Sequence, residues 1–121
     1  MWVFTQDGFI SAVEDKQKNN GTIVVRSRDR QSLELISTLT GAEIHPSPGR
    51  DYPYRVFVTR EQFAEFLTSN VYALDYGNFK DRVWDARGDV WHDAAGSVWS
   101  EMLSVTDQEA RDNRYGISAR Y

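Results

Sequence analysis

The chain has no cysteine. Disulfides, thiolate metal sites and cysteine nucleophiles are therefore excluded, and the fold must rest on packing alone. Positive charge is also short: 14 Lys and Arg face 18 Asp and Glu, a net charge of −4 with pI near 5.1. Without a large basic footprint, direct DNA binding is not expected. No apolar run approaches the roughly 20 residues of a membrane-spanning helix, so no membrane partner is expected. No charged segment followed by an apolar run opens the sequence, which points to the cytoplasm.

Catalytic signatures are missing as well. There is no G-x-S-x-G elbow, no P-loop and no G-x-G-x-x-G; Gly41, Gly49 and Gly77 stand alone as turn formers. There are two histidines, His45 in a proline-containing loop and His92 beside Asp93, and they share no metal spacing. No catalytic residue, metal ligand or cofactor is nominated, and a non-enzymatic role is expected. Asp81, Asp85, Asp89 and Asp93 recur at helical spacing, but Gly88 interrupts them and Asp89 suits a helix N-cap.

What the chain does have is aromatic residues: six Phe, four Trp and six Tyr in 121 residues. The length fits one domain. Trp2–Thr5 and Phe9–Val13 are strand-prone runs joined through Gln6-Asp7-Gly8, a hairpin signal. The polar stretch from Glu14 closes on Asn19-Asn20-Gly21, a second turn. Thr22–Arg28 is a third strand, with Ile23 and Val25 on one face and Val24, Arg26 and Arg28 on the other. Asp29 can cap a short helix over about Arg30–Leu39. Residues 42–51 read as an irregular loop.

Tyr54–Thr59 is a fourth strand, and Pro53 suggests an edge position or a strand start. Thr59-Arg-Glu-Gln62 is a capping box opening a helix striped by Phe63, Phe66, Leu67, Val71 and Leu74, with a polar interruption at Asn70. Asn78–Trp84 reads as a short helical turn. A last helix runs from Asp89 to about Val105, with Trp91, Ala94, Ala95, Val98, Trp99, Met102 and Leu103 as its stripe. Phe66 and Trp99 are expected in the core.

The fold class is thus α+β: a four-stranded mixed or antiparallel sheet in the order β-β-β-α-β-α-α, with helices on one face. A right-handed β-α-β crossover would set both helices there. One domain is expected over 1–105, with a polar tail over 106–121.

The basic residues suggest chemistry. Arg26 and Arg28 project from one face of the third strand, and Arg55 alternates away from Tyr54 and Val56 on the fourth. Guanidinium forks hold phosphate or carboxylate well. The loop after the long helix adds Tyr76 and Phe79 for stacking, Asn78 for hydrogen bonds and Lys80 for charge. These seven residues, Arg26, Arg28, Arg55, Tyr76, Asn78, Phe79 and Lys80, form the candidate ligand site. The alternative is a sheet face carrying Arg for solubility. Trp2 and Trp84 lie outside the stripes and suit a dimer interface.

The segments Met1–Val13 (MWVFTQDGFISAV), Asp51–Arg55 (DYPYR), Leu74–Lys80 (LDYGNFK) and Val98–Met102 (VWSEM) resemble, in order and spacing, a family of short bacterial proteins, especially actinobacterial, and of their phages. The resemblance covers residues 1 to about 104 and implies no established activity. In layout alone, a sheet followed by packing helices is similar to phage anti-defence sponges that sequester nucleotide signals. The expected role is a homodimeric phage-type accessory protein in the host cytoplasm. It would bind a small anionic, nucleotide-type ligand. One alternative is an inhibitor that binds a host protein through the acidic and aromatic residues from Asp75 to Asp93, as a nucleic-acid mimic. A second alternative is a small hydrolase built on His92 and nearby carboxylates.

Overall fold

The computed structural model describes residues 1–17 and 21–114. The Asn19-Asn20 turn and residues 115–121 of the polar tail lie outside the described residues. The chain divides into two compact units, Met1–Phe79 and Lys80 onward.

The first unit carries five strands: β1 Trp2–Thr5, β2 Gly8–Glu14, β3 Ile23–Ser27, β4 His45–Pro46 and β5 Tyr54–Val58. They form one antiparallel sheet in the order β1-β2-β3-β5-β4. The sheet therefore has five strands rather than the four expected. The added strand is two residues long and contains a proline, so no alternation announces it in the sequence. Pro53 marks the start of β5, which is an interior strand and not an edge.

The first hairpin pairs Thr5 with Gly8, leaving Gln6-Asp7 as the turn. Gly8 enters β2 at φ 145°, a backbone that a side chain would disfavour. The helical excursion between β3 and β5 leaves and returns at one end of the sheet, with Ser27 opposite Tyr54. The two strands are antiparallel, so the expected right-handed crossover does not exist.

Asp29 opens the excursion: its Oδ1 accepts from Ser32 N at 3.1 Å and from Ser32 Oγ at 2.6 Å. A 3₁₀ turn at Gln31–Leu33 leads into α1, Glu34–Thr40, which ends on Gly41 at φ 76°. The capping box of α2, Arg60–Tyr72, forms as its sequence implies. Gln62 N donates to Thr59 Oγ1 at 3.1 Å, and Thr59 N donates to Gln62 Oε1 at 2.9 Å. Asn70 interrupts the apolar stripe because its amide turns back, donating to Phe66 O at 2.9 Å.

The helices of this unit cover one sheet face. Ile10 and Ala12 of β2, Ile23 and Val25 of β3, and Val56 and Val58 of β5 pack with Leu33, Ile36, Phe63 and Phe66. Period-two alternation places Ile23 and Val25 inward and sends Val24, Arg26, Arg55 and Phe57 to the opposite face.

The second unit is helical. α3, Phe79–Arg87, is longer than the expected turn, and Gly88 at φ 81° separates it from α4, Asp89–Arg114. α4 thus continues well past Val105, into residues whose polar composition suggested a tail. Three nested contacts show α3 running back along α4. The Arg87 guanidinium lies 4.4 Å from the Trp91 ring centre, the Trp84 and His92 rings are 5.0 Å apart, and the Lys80 ammonium lies 4.6 Å from the Trp99 ring centre. Trp99 is not a core residue, being 58% exposed. Its stripe has helical spacing, but α4 buries none of its residues. Among the described residues, no helix is long and apolar enough to cross a membrane.

Candidate functional site

The sheet face away from α1 and α2 carries the arginines. Strand register lines up one residue from each strand. Trp2 is opposite Ser11, Ser11 opposite Arg26, Arg26 opposite Arg55, and Arg55 opposite His45. Directly opposed residues share a face. A single row, Trp2–Ser11–Arg26–Arg55–His45, therefore crosses the sheet over about 19 Å, at the usual strand spacing.

Two of the three guanidiniums are held by neighbours. Arg26 donates from Nη2 to Ser11 Oγ at 2.7 Å, and Arg28 donates from Nη1 to Asp51 O at 2.7 Å. The loop before β5 brings Tyr52 onto this face, where its ring is buried. Both Arg26 and Arg28 sit over that ring, at 4.7 and 4.6 Å from its centre. Aromatic contacts continue from there: Tyr52 to Phe9 at 6.4 Å, Phe9 stacked on Phe4 at 4.6 Å, and Phe9 edge-on to Trp2 at 5.7 Å. Beyond Arg55, His45 meets Phe57 edge-on at 5.8 Å.

Two features show unmet electrostatic demand. The Nε atoms of Arg26 and Arg55 are buried and have no hydrogen-bond partner. The Arg55 pKa is lowered, first by burial and then by the charges of Arg50 and Arg26, with Asp51 opposing. Like charges placed directly opposite each other on neighbouring strands are destabilising. An anion between them would supply acceptors and offset the repulsion.

Of the other four nominated residues, Tyr76 and Phe79 lie apart from the arginines. The Tyr76 and Phe79 rings contact each other at 6.0 Å. Tyr76 also lines a hollow of about 360 Å³ with Val3, Phe4, Leu67, Val71 and Leu74. That hollow borders β1, two strands away from Arg26. Asn78 is exposed in the same loop. Lys80 belongs to the second unit, over Trp99. Within the first unit the structure thus unites Arg26, Arg28 and Arg55 and sets Tyr76 and Phe79 apart from them.

Trp2, Ser11, His45, Arg50 and Tyr52 join the arginines without having been nominated. Alternation along one strand gives a face, but only register tells which residues of different strands meet. His92 is partly exposed, and its Nδ1 is 3.4 Å from Asp93 Oδ1, whose side chain is 81% exposed. That geometry offers no enclosed acid–base pair. Among the described residues, no group of three His, Asp or Glu side chains could hold a metal ion. No family model, curated protein or solved structure matches the chain.

Proposed function

We propose that this protein is a non-enzymatic binder of a small anionic, nucleotide-type ligand, seated on the sheet face that carries the arginines. The observation that carries this reading is the opposed pair Arg26 and Arg55, each with a buried Nε lacking an acceptor. A phosphate bridging them gains charge-assisted hydrogen bonds. Arg28 adds a third cation, and Trp2 and Phe9 offer ring surface for a base. In this reading the protein is a phage-type accessory protein that sequesters its ligand in the host cytoplasm and works as a homodimer.

The test is calorimetric titration of the native protein with a panel of mono- and cyclic nucleotides and with inorganic phosphate. Saturable binding that Arg55→Ala weakens at least tenfold, with the fold intact by circular dichroism, supports the reading. Absence of binding across the panel at low salt overturns it.

One observation favours a second reading. α4 is 26 residues long, buries none of them, and exposes Trp99, Met102 and Leu103 on one side. An exposed apolar helix face of this kind suits a host protein partner. Loss of activity on Trp99→Ala with Arg55→Ala silent would select this reading.

A further inference from the structure

The two edges of the sheet are built differently. β4 is two residues long and ends in Pro46, with Pro48 following. Short strands and proline are what keep a sheet edge from pairing. β1 has neither protection. Its sequence is Trp-Val-Phe-Thr, with no charge and no proline, and its register with β2 runs unbroken from Trp2 to Thr5. Trp2 is 70% and Phe4 41% exposed.

Backbone direction along β1 follows from one pair. Met1 N donates to Ala12 O at 2.7 Å, and Ala12 N donates to Met1 O at 2.8 Å. In an antiparallel ladder such doubly bonded pairs alternate with unbonded ones. Met1, Val3 and Thr5 therefore turn their backbone groups toward β2. Trp2 and Phe4 turn theirs to the open edge.

We propose that β1 pairs antiparallel with β1 of a second copy, about a two-fold axis at Val3, joining two sheets into one. This deepens the homodimer of the reading above and rests on it for the expectation of a second copy, but not on the anion site. Directly opposed residues share a face, so the axis must pass through a residue and not between two. With the axis at Val3, Trp2 lies opposite Phe4 of the second copy, and Phe4 opposite its Trp2. All outward backbone groups then meet partners, giving four hydrogen bonds.

With the axis at Phe4, only the Phe4 pair bonds, giving two, and Trp2 falls opposite Gln6 in the turn. The Val3 register is the better one. It also sets Trp2 and Phe4 rings against each other on the open face, where aromatic cross-strand pairs stabilise a sheet. No charge on either strand opposes the approach. The exposed Val71 and Leu74 rim the hollow beside β1, so the same edge offers apolar surface on its helix side. The two arginine rows would then run end to end across the joined sheet.

The experiment combines mass and cross-linking. Light scattering at micromolar concentration should give twice the 13.9 kDa chain mass. Phe4→Pro removes one outward N–H and leaves the Val3 and Thr5 bonds to β2. It should give a monomer with an unchanged far-ultraviolet spectrum. Arg55→Ala should remain a dimer, which separates failure of this inference from failure of the anion site. The chain has no cysteine, so Val3→Cys should form a covalent dimer under mild oxidation and Phe4→Cys should not. A monomeric native protein, a dimer that survives Phe4→Pro, or cross-linking by Phe4→Cys instead of Val3→Cys overturns the proposal. If Phe4→Pro does not fold, the cysteine pair decides. A monomer that gains strand content with an extended peptide would assign the edge to another occupant and also overturn it.

Discussion

Arg26 and Arg55 stand directly opposite each other on neighbouring antiparallel strands, both on the face that the helices of their unit leave open. Two cations in that relationship cost the folded state some stability. The pair persists at a position where Thr, Val or an opposite charge would pair better. The anion proposed above would offset that cost.

The first prediction concerns this pair. Arg55→Met keeps an unbranched apolar stem and removes one charge. At low salt the unliganded variant should melt above the native protein, and the gap should shrink as salt screens the remaining charges. A lowered pKa on a cation means that the charged form is disfavoured in the folded state, and the penalty lifts only as pH rises through that pKa. Arginine stays protonated across the ordinary range. The gain in melting temperature should therefore be constant between about pH 5 and 9. A thermal-shift series in salt and pH reads both effects.

A second prediction separates the two aromatic stripes. Phe66 is 2% exposed and Trp99 58% exposed. Phe66→Ala should cost about 3–5 kcal/mol by denaturant unfolding, the range for a buried aromatic. Trp99→Ala should cost under about 1 kcal/mol, the scale of losing an exposed cation–π contact with Lys80.

Thr59 provides a third. Its hydroxyl accepts from Gln62 N and fixes the start of α2. Thr59→Ala should destabilise by about 1 kcal/mol, whereas Thr59→Ser should cost only a few tenths. Equal effects from the two would show that the methyl group matters and the cap does not.

Tyr52 carries the fourth. Its ring lies beneath both Arg26 and Arg28. Tyr52→Leu preserves an apolar side chain but removes the π face. Anion affinity should fall about threefold to tenfold, since each such contact is worth roughly 0.5–1 kcal/mol at an exposed site. Unchanged affinity in calorimetry would show that the arginines need no such platform.

Much of the first unit was legible because its signals are local. Alternation over Ile23–Ser27 names the inward and outward residues, and Thr59 with Gln62 names a helix start by spacing alone. β4 was not legible, since His45-Pro46 has too few residues to alternate. The row from Trp2 to His45 was not legible either, because register is set by the whole sheet. Arg26 and Arg28 alternate with the apolar Ile23 and Val25 along one strand, and Arg55 alternates with Val56 along another, so each strand shows its own outward arginines. Tyr52, which holds two of them, sits in a loop where parity says nothing. The α4 stripe has helical spacing, but periodicity cannot say whether anything covers it. Trp99 therefore looked like core.

The strand order β1-β2-β3-β5-β4 also bears on how the chain folds. Each strand lies beside its sequence neighbour, or one removed, and the widest gap between paired strands is the excursion from Ser27 to Tyr54. Contacts of short sequence separation favour fast folding. The β1–β2–β3 meander can form as a unit and then receive β5 once α1 has condensed against it. Refolding of the first unit should accordingly be quick, with the slower step in closing that one long excursion.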